Sequence, residues 1–162
     1  MNIFIDTEFG HDDWADVDLI SIGLVAADGR TFYAERLDFD LALVNAFVRE
    51  NVMPLLRADG VLVLSTCALR SATLAWLEQF KYDDAVVCFD NPIGWALLSQ
   101  LLDQDLPTWL GSRNIRDQID WNVRKQFFMQ TQLPEHHALH DAHASRFAVM
   151  SDPFSRFMGG VS

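Results

Sequence analysis

Apolar positions in this chain come first in short blocks with strand character and later at helical spacing. Residues 2–9 (NIFIDTEF) open apolar and β-branched and end in carboxylates. That is the pattern of a short buried strand delivering acids at its C-terminal end. Residues 19–27 (LISIGLVAA) stop at Asp28-Gly29, and residues 31–37 (TFYAERL) alternate as a strand. Asp-Gly followed by Arg30 between two such runs predicts a hairpin. The first forty residues therefore predict a three-stranded antiparallel meander, with residues 11–18 as an acidic loop.

Beyond Asp40 the period changes. Asp40 is placed to cap a helix whose apolar residues are Leu43, Val44, Phe47 and Val48, and Pro54 should bend or end it. Residues 61–64 fit either a short strand or a buried turn. Residues 67–80 read as a helix with Leu69, Thr73, Trp76, Leu77 and Phe80 on one side. Residues 85–89 (AVVCF) form a second short buried strand, closed by Asp90. Helices are predicted over 95–102, 115–130 and 141–150, with 106–114 irregular and 153–162 a loose tail. No repeat, low-complexity tract or linker divides the chain, so residues 1–152 are read as one domain followed by the tail. Antiparallel strands first, then strands interleaved with helices, predict an α/β fold. Its mixed sheet, the meander plus parallel strands, would carry helices on both faces.

Composition narrows the function. A chain of 162 residues holds one compact domain, and 50% hydrophobic with 22% charged residues excludes disorder. The formal charge of −11 argues against a broad basic surface for duplex DNA and against an anionic membrane surface. It leaves room for nucleic acid received locally through divalent metals at a carboxylate cluster. Cys67 and Cys88 have neither metal-like nor redox spacing, which predicts a reducing compartment. Asp6 and Glu8 interrupt any signal-peptide core, and no apolar run approaches the roughly 20 residues of a membrane helix. The expectation is a cytoplasmic protein with no membrane partner.

Three constellations carry candidate chemistry. In Asp6-Thr7-Glu8 the carboxylates are two apart on a strand and share a face, so both can converge on one Mg²⁺ or Mn²⁺. A solvated strand end fits the same three residues. Residues 136–143 (HHALHDAH) hold four of the five histidines. His136 and His140 at i, i+4 fit zinc; alternatively Asp141 is a hard-metal ligand near a helix start with a histidine from the preceding loop as base, or the run is an exposed polar helix start. His136 and Asp141 are about 140° out of phase on a continuous helix, so they converge only with a turn between them. Asp90, after the AVVCF strand, is either another carboxylate beside Asp6 or a helix cap.

Together these spacings resemble the histidine branch of the DEDD superfamily of 3′–5′ exonucleases, specifically its small exoribonuclease-like proteins. IDTEF is similar to the first motif of that family, with Asp6 and Glu8 as metal ligands. His136 to Asp141 (HHALHD) is similar to the last, with His136 as base and Asp141 as ligand. The resemblance implies a ribonuclease H-like fold and two Mg²⁺ or Mn²⁺ ions held by Asp6, Glu8, Asp141 and a fourth acid. It also implies hydrolysis of single-stranded RNA or short oligonucleotides to nucleoside 5′-monophosphates, and a homodimer. For substrate contact, Phe9 is placed to stack on a terminal base or to fill the core. Arg113 and Arg116, in a short stretch with Arg124 and Lys125, are placed to track phosphates or to line a solvated face.

The middle motif departs from the family pattern. Setting Leu97 and Leu98 in its apolar positions puts Gly94 where an acid is expected, with Asp90 four residues earlier. Asp90 then either supplies the ligand from the strand end or the ligand is lost. The second case is a ribonuclease H-like domain that binds nucleic acid or protein without cutting.

Overall fold

The computed structural model describes residues 1–11 and 17–151. Part of the acidic loop expected at 11–18, and the whole of the tail expected at 153–162, lie outside the described residues. Among the described residues six strands form one sheet: β1 (Asn2–Phe9), β2 (Leu19–Ala26), β3 (Thr31–Arg36), β4 (Leu62–Leu64), β5 (Val86–Phe89) and β6 (Gly111–Asn114), in the order β4-β3-β2-β1-β5-β6. The meander β1-β2-β3 is antiparallel, while β4 runs parallel to β3, β5 to β1 and β6 to β5. Gly29, with φ of +97°, makes the β2–β3 turn, where its N–H donates to the Ala26 carbonyl.

Among the described residues five helices cover the sheet: α1 (Ala46–Asn51), α2 (Thr66–Glu78), α3 (Pro92–Leu101), α4 (Trp121–Thr131) and α5 (Ala138–Met150). The pleat of β1 divides the core between the two faces. Ile3 and Ile5 pack with Leu69 and Leu77 of α2 and with Leu97, Leu98 and Leu101 of α3. Phe4 points the other way, against Cys88, Ile115, Ile119, Val123 and Ala148. Phe4, Ile3 and Leu98 are wholly buried, each worth about 1.5–3 kcal/mol relative to exposure. All eight residues of β2 are buried, as a strand covered on both faces requires. The expected α/β mixed sheet with helices on both faces is the fold observed, and it is consistent with a ribonuclease H-like architecture. No described helix is long and apolar enough to cross a membrane.

Several boundaries differ from the sequence expectation. Asp40 caps only a 3₁₀ turn, Leu41–Leu43, and the helix begins after Asn45, whose side chain accepts from Val48 N–H. Of residues 61–64, Leu62–Leu64 form strand β4. Residues 106–114, expected to be irregular, supply β6 at the sheet edge; its sequence GSRN is exposed throughout and owes its place to backbone pairing with β5, which leaves no hydrophobic pattern. Residues 115–130 are not one helix, since a 3₁₀ turn, Arg116–Gln118, precedes Asp120, which caps α4 by accepting from Asn122 and Val123 N–H. The last helix starts three residues ahead of Asp141, which places that acid in its first turn.

Candidate active site

Asp6 and Glu8 occupy the pleat of β1 that carries Phe4, on the side covered by α5. Across the sheet Asp6 pairs with Gly23 and Glu8 with Ser21. Gly23 decides how close α5 can come: a Cβ there would meet the carbonyl carbon and oxygen of Ala138 at 2.4 Å. Its absence lets the first turn of α5 lie directly on β2 beside Asp6. The turn that the spacing of His136 and Asp141 demands is present, because His136 sits in the left-handed region at φ +64° and the helix begins two residues later. As a result, carboxylate oxygens of Asp6, Glu8 and Asp141 all lie within 4.8 Å of one another.

Charges this close and this poorly solvated resist ionisation. Burial, then Asp141, Glu8 and Asp90, hold the Asp6 carboxyl well above its usual range. Burial and then Asp141 push Glu8 up to about 8. Asp141 is also raised by burial, but less freely, because Arg124 and the His137 N–H stabilise its anion. One oxygen of Asp141 accepts from the Arg124 guanidinium, and the other accepts from His137 N–H at 3.1 Å.

Asp90 follows β5 as Asp6 follows Phe4 on β1. The last paired positions of these parallel strands are Phe4 and Cys88, so Asp6 and Asp90, two residues on, continue the same row. The Asp90 charge is felt at Asp6. Asp90 is not the cap of α3, a role taken by Asn91, whose side chain accepts from Ile93 N–H. Gly94 lies on the other side of the sheet, its Cβ position 3.6 Å from Thr7 Oγ1, on the pleat opposite Asp6 and Glu8. An acid at position 94 would therefore face away from the other carboxylates.

His136 meets the edge of the Phe47 ring, centroids 4.9 Å apart. Phe47, with Glu8, Phe9, Asn45, Val48 and Val52, lines a cleft of about 300 Å³ beside the acids. Phe9 packs against the core and also lines this cleft. His137 stacks on Tyr33 at 4.3 Å and on His140 at 4.0 Å, and His140 Nδ1 hydrogen-bonds the Pro134 carbonyl at 3.1 Å. Burial and then the neighbouring His140 push His137 down to about 4, so it stays neutral and serves as packing under the start of α5. Among the described residues no histidine or cysteine completes a metal cluster, so the zinc arrangement of His136 and His140 does not form.

The basic residues separate. Arg113 donates to Asn2 Oδ1 at 2.8 Å and to Cys88 Sγ, at the start of β1 and away from the acids. Arg116 lies in an exposed 3₁₀ turn. Arg124, read only as part of a basic stretch, is the one that reaches the site. Three further participants were not picked out from sequence: Phe47, Tyr33 and Gly23. Only Gly23 left a signal, a glycine inside an otherwise branched-aliphatic strand.

No family model matches this chain. A stretch of 54 residues, 33% of the chain, is 46% identical to proteins named 3′–5′ exoribonuclease in two strains of Mycobacterium tuberculosis. The match spans about a third of the length of these curated relatives, 32% in each case.

Proposed function

We propose that this protein is a divalent-metal-dependent 3′–5′ exonuclease of the DEDD histidine branch, acting on single-stranded RNA or short oligonucleotides and releasing nucleoside 5′-monophosphates. The observation that carries this reading is the convergence of Asp6, Glu8 and Asp141. The exoribonuclease name of the partial relatives supports it.

The residues fit a hard divalent cation. The donors are all carboxylate oxygens, and their raised proton affinities mark a cluster short of positive charge. Asp6, Glu8 and Asp141 would hold Mg²⁺ or Mn²⁺, with Asp90 completing the set next to Asp6. Such ions supply charge to the phosphate oxygens and acidify water in phosphodiester hydrolysis. The protein's own contribution is positional. His136, held in a left-handed turn beside Asp141, takes the proton from the attacking water. The cleft between Phe9 and Phe47 receives the terminal base and directs the last phosphodiester toward the acids. Asp141, tied by the His137 N–H, keeps its carboxylate aimed at Asp6 and Glu8.

Purified protein should shorten 5′-labelled single-stranded RNA from its 3′ end in Mn²⁺ or Mg²⁺, and Asp6→Asn should stop it. A wild-type protein that leaves the RNA intact in both metals overturns the enzyme reading and favours a domain that binds without cutting.

A further inference from the structure

Arg124 does something in this site that the proposed chemistry does not call for. Its guanidinium makes the ion pair found for the three acids among the described residues, and it makes it with Asp141, one of the carboxylates a cation at the cluster would use. The position is built. Arg124 projects from α4, is 17% exposed at its side chain, and has its guanidinium carbon 5.3 Å from the Phe128 ring centroid and 5.8 Å from that of Trp121. Its Nε is buried without a partner. A group held this way gives up hydrogen bonding to stay on Asp141. The second oxygen of Asp141 accepts from His137 N–H, so each of its oxygens already takes one hydrogen bond.

Resting on the metal-dependent reading above, we infer that Arg124 is a positioning residue that acts as an internal counter-cation: it competes with the divalent ion for Asp141. While the cluster lacks a cation, the guanidinium neutralises part of its charge and pins the Asp141 side chain in place. When a dication binds, the two positive charges share one carboxylate and repel. Arg124 therefore weakens metal affinity in return for a preformed cluster. A residue that only oriented Asp141 as a ligand would act in the opposite sense, since its loss would weaken metal binding.

The sign of one measurement decides between them. Mn²⁺ binding by calorimetry should tighten in Arg124→Gln by roughly tenfold, the scale of removing one unit charge a few ångströms from a bound dication at a partly screened site. Arg124→Lys keeps the charge and should stay near wild type. In chelator, Arg124→Gln should melt below wild type, because the acids lose their partner. Should Arg124→Gln fail to fold, Arg124→Met fills the slot between Trp121 and Phe128 and is expected to bind Mn²⁺ more tightly in the same way. Unchanged or weaker Mn²⁺ binding in the folded variant overturns the inference. A wild-type protein that binds no Mn²⁺ instead overturns the metal-dependent reading on which it rests.

Discussion

Asp90 is the residue on which the completeness of the site turns. It stands in the row of Asp6, its charge raises the proton affinity of Asp6, and the capping of α3 is done by its neighbour Asn91. Asp90→Asn therefore removes a charge without removing a cap. It is expected to weaken Mn²⁺ binding and nearly abolish turnover. The metal-free melting temperature should rise, because one source of repulsion at Asp6 is gone. Calorimetry and thermal melts in chelator check both arms; normal turnover at low Mn²⁺ would strike Asp90 from the site. The acids at 6, 8 and 141 stood out as candidates through residue type and spacing, and the resemblance of IDTEF and HHALHD to the family motifs joined them into one set. Arg124 was visible only as one basic residue among several, because nothing in a linear pattern says which of four cations turns inward.

At the scale of elements, the site depends on how α5 lands on the sheet. Its first turn sits on β2 only because position 23 carries no side chain. Gly23→Ala would force the backbone of Ala138 and Leu139 away from Gly23, and flexible side-chain adjustment offers no relief, since the nearest atoms are backbone. The expected cost is about 1–3 kcal/mol of stability, in the range of overpacked cores. Metal affinity should fall as well, because Asp141 travels with the helix while Asp6 and Glu8 stay on β1. A Gly23→Ala protein with wild-type melting and wild-type Mn²⁺ binding would refute this account. The same helix shows where sequence reasoning stopped short. Its start at Ala138 is stabilised by the Tyr33–His137–His140 stack, whose members come from β3 and from α5 with its preceding turn, and no local signal joins them.

For the molecule as a whole, an acidic chain with a formal charge of −11 concentrates its least comfortable charges in one place. Glu8 has its carboxyl raised from 4.5 to about 8 in the folded state, so the folded protein holds a proton there that the unfolded chain has lost. Its contribution to metal-free stability is full below about pH 4.5 and declines as the pH rises toward about 8. Glu8→Gln removes this dependence. The excess melting temperature of Glu8→Gln over wild type in chelator should be smallest near pH 5 and grow up to pH 8. Wild-type Mn²⁺ affinity should rise over the same interval, since binding must displace that proton. A pH-independent difference between the two proteins would contradict the raised Glu8 carboxyl.

What the linear order of residues determined by itself was the content of the elements. Periodicity of two and Asp28-Gly29 specified the meander, helical spacing specified α2, and carboxylates two apart on β1 specified a shared face, because each follows from the fixed geometry of a local backbone. Tertiary structure alone decided the rest. It made a strand of the exposed GSRN edge, split residues 115–130 at Asp120, turned Gly94 to the pleat opposite Asp6, and set Arg124 on Asp141. These are outcomes of pairing and packing between segments far apart in the chain. Their energies depend on which surfaces meet, and that information is absent from any single stretch of sequence.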